Sequence, residues 1–131
     1  MAANRSRPIS RRHNARFDTR WTVSPVAIVS ANGDIDGTNA GSLTEYVGKT
    51  GYCRGMVVDL SDLDFFGTEG FLALHRISVN CARAGIGWVV VPGGAVSRLL
   101  GICDPHGLLP TNDTVDRALA TLRPRVGLSA S

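Results

Sequence analysis

One hydroxyl stands apart by its setting. Thr68 follows an apolar run, Gly55-Met56-Val57-Val58-Asp59-Leu60, a polar stretch and the Phe65-Phe66 pair, and it opens a segment in which Phe71, Leu74, Ile77 and Cys81 recur at helical spacing. A threonine there has two uses. As an N-cap, its oxygen accepts an N–H from the first turn. As a phosphoacceptor, it sits where backbone donors and the helix dipole stabilise an added phosphate of charge about −2. The residues alone leave both open.

The other reactive groups form no set. His13, His75 and His106 share no metal-ligand spacing with one another or with the cysteines. Cys53, Cys81 and Cys103 are odd in number and widely spaced, which fits reduced thiols in a reducing cytoplasm rather than a disulfide framework. Cys53 opens a strand, Cys81 lies on an apolar stripe and Cys103 ends a helix, so they read as small core hydrophobes. Gly48-Lys49-Thr50 imitates the end of a phosphate-binding loop, but Leu43 stands where that motif needs glycine, and the triplet ends a helix. Asp59, Asp62 and Asp64 read as turn formers and a solvated face. No enzyme signature survives, and no cofactor is expected.

The elements that must position Thr68 follow from periodicity. Strands are expected at Arg16–Val23, Pro25–Ser30 and Asp34–Asp36, with a bulge or strand end at Asn32-Gly33. A helix is expected from Asn39 to Thr50, with Thr38 or Asn39 as cap and Gly51 as terminator. Gly55–Leu60 reads as a strand buried on both faces, followed by a polar turn from which both phenylalanines plug back into the core. Next come a helix Thr68–Ala84 stopped by Gly85, a buried strand Gly87–Val91 and a helix Ala95–Cys103. A brief edge strand at Leu108–Pro110 precedes a last helix capped by Asp113, with Asp116 in the capping-box position. Strands alternating with helices give an α/β sheet with helical crossovers.

Composition bounds the rest. With 131 residues, 44% hydrophobic and 19% charged, the chain has one domain's worth of core and is neither disordered throughout nor a miniprotein. The net charge of +3 is uneven: residues 1–20 hold six arginines against Asp18, whereas the remainder holds eight bases and ten acids. The basicity therefore sits in a flexible arm, residues 1–15, outside a slightly acidic body at 16–123 and a tail at 124–131. No apolar stretch approaches the roughly 20 residues of a membrane span, and no secretory signal follows the arginines. The arm is a solubilising tail, a transit segment or a salt-sensitive nucleic-acid contact; specific nucleic-acid recognition is not expected.

The stretch Met56–Leu74 resembles the signature of the STAS domain of bacterial anti-sigma factor antagonists, in which a strand ending "DLS" leads through an apolar pair and Asp-Ser-Ser-Gly into a helix. Gly33-Asp34-Ile35-Asp36, Gly85–Val91, Val96-Ser97-Arg98-Leu99-Leu100 and Thr114–Leu119 match further pieces in order. The resemblance covers about residues 17–123. It implies a small mixed β-sheet with about four helices packed mainly on one side. It also implies partner switching: the protein binds an anti-sigma factor, a serine/threonine kinase, and frees a sigma factor until phosphorylation releases it and a phosphatase resets it. By motif the phosphoacceptor is Thr68, with Asp36, Gly67, Glu69, Gly70 and Leu72 around it on the partner-binding surface. Two departures matter. Gly67 replaces the motif's Asp and Glu69 its second Ser, from which slow or absent phosphorylation of Thr68 is expected, with thiol oxidation as a conceivable substitute input. The competing expectation is a stand-alone STAS subunit of a membrane lipid-transport ABC complex.

Overall fold

The computed structural model describes residues 11, 12, 14–22, 25–50 and 53–128. Its elements are β1 (Arg11–Arg12), β2 (Ala15–Trp21), β3 (Val26–Ile35), α1 (Ala40–Gly48), β4 (Gly55–Phe66), α2 (Thr68–Ala84), β5 (Gly87–Val91), α3 (Gly93–Cys103) and α4 (Val115–Leu128). The strands form one sheet in the order β1-β2-β3-β4-β5. β1, β2 and β3 pair antiparallel, while β3, β4 and β5 pair parallel.

The parallel half explains the apolar runs. Successive side chains of a strand point to opposite faces, so a strand covered on both sides needs no polar alternation. Ala27, Val29, Met56, Val58, Leu60, Trp88 and Val90 face one core with Leu43, Leu74, Ile77, Val96 and Leu100, which come from α1, α2 and α3. Val26, Ile28, Val57, Val89 and Val91 face the opposite layer, built by Ala118 and Leu122 of α4. Three helices therefore pack on one side and one on the other.

α2 spans the expected Thr68–Ala84, and Gly85 ends it in the left-handed region at φ 71°. Register shifts flank Asn32-Gly33, but the extra residues lie in β4, between Asp59 and Asp62 and between Leu63 and Phe65, so the bulges belong to β4. Gly33 takes φ 98°. A Cβ at Gly33 would fall 1.9 Å from the Asn14 carbonyl oxygen, which accepts from Asp34 N–H. β3 consequently runs unbroken to Ile35 instead of splitting into two strands.

Several expectations are corrected. The polar stretch after Leu60 is no turn. β4 continues through it, pairing Asp62 with Asn32, Leu63 with Gly33 and Phe66 with Ile35. Leu63 and Phe66 are buried between exposed neighbours at a three-residue spacing, because β4 carries an extra residue at each of its two register shifts against β3. Leu108–Pro110 is not a strand; a single parallel bridge, Val90 to Thr111, closes that edge. Thr114, not Asp113, caps α4, its Oγ1 accepting from Arg117 N–H, which takes Asp116 out of the capping-box position. The backbone of α4 stays helical to Leu128, beyond the expected limit at 123. α1 ends at Gly48, and the expected terminator Gly51 lies outside the described residues. Part of the expected arm is ordered too: Arg11 and Arg12 pair with Arg16 and Ala15. Residues 1–10 lie outside the described set.

Candidate functional site

The site forms where the parallel strands β3 and β4 end side by side. Gly67 N–H donates to Ile35 C=O at 2.9 Å, tying the start of α2 to the end of β3. Gly67 is extended and occupies the cap position of α2, so Thr68 is the first helical residue and does not cap the helix. The N-cap use of Thr68 is thereby overturned. A glycine cap brings no side-chain oxygen, which leaves the first N–H groups of α2 without a side-chain acceptor. Thr68 is exposed, and its hydroxyl makes no hydrogen bond with a described residue.

Across from it lies the loop from Asp36 to Asn39. Asp36 Oδ1 accepts from Thr38 N–H at 2.9 Å and from the Thr38 hydroxyl. Asn39, only 1% exposed, pins the loop from inside. Its Oδ1 accepts from Asp36 N–H and its Nδ2 donates to Asp34 C=O, both at 2.9 Å. Asn39, as the alternative to Thr38, is an expected cap of α1. It stands at that position but makes no side-chain cap bond, and it fixes the strand end instead.

Glu69 bridges the two segments. A Cβ at Gly37 would lie 3.5 Å from Glu69 Cδ, and one at Gly67 would lie 3.3 Å from Glu69 Oε1. The Glu69 side chain thus fills space above both glycines, next to the position where the motif carries Asp. Gly70 is required by packing: a Cβ there would fall 2.5 Å from the Phe66 ring. Leu72, one turn after Thr68, is 63% exposed. Of the five neighbours expected around Thr68, Gly67, Glu69 and Gly70 adjoin it in α2 and its cap, Asp36 closes the facing loop, and Leu72 extends the helical surface.

The phenylalanine pair divides. Phe66 is buried, whereas Phe65 is 52% exposed and not plugged into the core. Phe65 lines an open groove of about 190 Å³ with Asp64, Phe66, Ala95, Arg98, Leu99 and Ile102. Sequence reasoning missed this groove. Ile102, lying off the Val96/Leu99/Leu100 stripe, was the available signal.

The thiols are set apart from the site. Cys53 and Cys81 are buried and Cys103 partly so, all three unbridged. Burial raises the Cys53 pKa, and burial followed by the nearby Cys53 pushes Cys81 up to about 11. His75 and His106 are exposed, and among the described residues no three His, Cys, Asp or Glu side chains gather to hold a metal.

The mixed sheet carries Thr68 where the parallel strand β4 passes into its crossover helix α2. Residues 21–118 match the STAS domain, and the chain belongs to that family. It is 30% identical over 125 residues to the anti-sigma-F factor antagonist RsfA of Mycobacterium tuberculosis, covering 92% of this chain and 95% of that one. It is also 32% identical over 100 residues to Osmosensory protein A of the same species, covering 72% of this chain but only 63% of that relative's length. The crystal structure of an anti-sigma factor antagonist from Mycobacterium paratuberculosis superposes with a TM-score of 0.71 at 26% identity, over 83% of this chain and 94% of the other. A Thermotoga maritima structure shares the fold at 20% identity, also with a TM-score of 0.71.

Proposed function

We propose that this protein is an anti-sigma factor antagonist, a binding regulator rather than an enzyme. It engages an anti-sigma factor of the serine/threonine kinase type through the surface around Thr68 and so frees a sigma factor, which places it in the cytoplasm. The observation that carries this reading is the exposed, unbonded Thr68 hydroxyl at an α2 start with no side-chain cap, flanked by exposed Phe65 and Leu72. Apolar side chains supply contact area for a partner. The uncapped N–H groups and helix dipole stabilise a phosphate there, and a phosphate buried in an interface costs several kcal/mol unless neutralised.

The control is altered in this chain. Glu69 puts a permanent carboxylate over position 67, where a transferred phosphoryl group or a kinase's positioning contacts would need room. Thr68 is therefore phosphorylated slowly or not at all, and a phosphatase has correspondingly little to reset. Binding of candidate anti-sigma kinases to wild type, Thr68→Ala and Thr68→Glu tests the reading. The Ala variant binds like wild type, and the Glu variant binds at least about tenfold more weakly, a difference of roughly 1.4 kcal/mol. Equal binding by all three removes Thr68 from the mechanism. Complete conversion at Thr68 by the cognate kinase and ATP would leave the altered control without support.

A further inference from the structure

The outward face of α2 combines apolar surface with positive charge. At about 3.6 residues per turn, Thr68, Leu72, Arg76, Val79 and Arg83 fall in one narrow stripe, opposite the buried Leu74, Ile77 and Cys81. Leu72 is 63% exposed and Val79 39%, and they stand one heptad apart. Arg76 and Arg83 are exposed too and share the same spacing. On a solvated helix a base is commonly matched by an acid three or four residues away. α2 offers these arginines none. Its single acid, Glu69, stands in the first turn, and its side chain lies back over Gly67 and Gly37. Neither arginine makes an ion pair or hydrogen bond with a described residue, Glu45 of the adjacent α1 included. Arg83 is in the last turn, where the helix dipole favours a cation, but Arg76 is mid-helix and has no such reason.

We propose that this stripe docks an acidic amphipathic helix of the protein's partner. The apolar residues of that helix recur once per heptad and cover Leu72 and Val79, and the carboxylates flanking them meet Arg76 and Arg83. A heptad repeat keeps two helices facing each other over several turns with charges beside the seam, and the 17 residues of α2 provide about five turns. Charge selects the occupant. Leu72 and Val79 alone would accept any apolar segment, whereas two unpaired arginines attract carboxylates and repel lysine or arginine. α2 of a second copy is the poorer occupant, since setting Leu72 against Val79 of that copy brings the two Arg76 side chains together.

The inference deepens the proposed anti-sigma contact and rests on that reading for the partner's identity, though not for its chemistry. The stripe begins at Thr68, so a phosphate or carboxylate added there repels the same acids, which is the direction of release proposed above.

Amide-resolved NMR titration of the full chain with two synthetic peptides tests it. Both peptides are alanine-based helices with one leucine per heptad, flanked by glutamates in one and by lysines in the other. The glutamate peptide shifts the resonances of Leu72, Arg76, Val79 and Arg83, and the lysine peptide binds roughly tenfold or more weakly. The Arg76→Glu/Arg83→Glu chain inverts that preference. Both side chains are exposed, so its circular dichroism matches wild type. Equal affinity for the two peptides, shifts confined to another face, or no binding of the glutamate peptide up to about 1 mM overturns the proposal. A chain that prefers the glutamate peptide but binds no candidate anti-sigma kinase upholds the α2 inference and sinks the proposed function. Kinase binding unchanged by Arg76→Glu/Arg83→Glu sinks the inference alone.

Discussion

Thr68 and Asn39 show how differently two polar residues at helix starts are used. Both read as caps, because Thr and Asn prefer that position. Thr68 instead sits one residue inside α2, its hydroxyl turned outward, because Gly67 takes the cap position and bonds Ile35. Asn39 turns inward and satisfies Asp36 N–H and Asp34 C=O. Asn39→Ala should therefore cost about 2 kcal/mol, since truncation leaves partly buried backbone groups without their acceptor and donor. Chemical denaturation reads this as a lowered midpoint at unchanged slope. A midpoint equal to wild type would show that water replaces the side chain freely.

At the scale of elements, α2 joins the site to the core. Its first turn carries Thr68, and its inner stripe of Leu74, Ile77 and Cys81 is buried against the sheet. Cys81 makes that packing sensitive to alkaline pH. Its pKa is raised from 9.0 to about 11 in the folded chain by burial first and by Cys53 second. A group whose folded pKa is raised stabilises fully below the unfolded value and loses that contribution as pH rises through the folded one. Stability should thus decline between about pH 9 and 11 more steeply in wild type than in Cys81→Ala, as thermal unfolding across that window would show. Parallel slopes would mean that the thiol is not desolvated. Near neutral pH the same shift keeps Cys81 a thiol and a poor nucleophile, which argues for a packing role and against an oxidative input at this residue.

At the scale of the whole molecule, the sheet separates the candidate site from α4. α4 lies across the sheet from α1, α2 and α3, and Leu122 is fully buried in the smaller core with Val26, Ile28 and Val89. Leu122→Ala should cost about 2–5 kcal/mol for a collapsed or empty cavity. It should leave partner affinity near wild type at temperatures where the variant stays folded, because that core is on the face opposite α2. A calorimetric melt paired with a binding titration separates the two effects. Loss of affinity in a folded Leu122→Ala chain would mean that the two faces are coupled through the sheet.

Much was legible in the sequence because its causes are local. The apolar runs of β4 and β5, the stripe of α2, the stop at Gly85 and the left-handed backbone at Gly33 each follow from side-chain periodicity or from glycine's freedom at positive φ. The ordered motifs gave the STAS family, and with it Thr68 as the residue to watch. What escaped depended on partners distant in sequence. Ser61 to Phe66 look like a turn until β3 supplies a strand to pair with, and Thr68 looks like a cap until Gly67 is bound to Ile35. Phe65 looks like core until the β4 register turns it outward beside α3. The sequence by itself determined which segments become strands and helices, because that depends on near neighbours along the chain. Only the tertiary structure decided which groups are satisfied, covered or left facing outward, because that depends on contacts the chain makes after it has closed on itself.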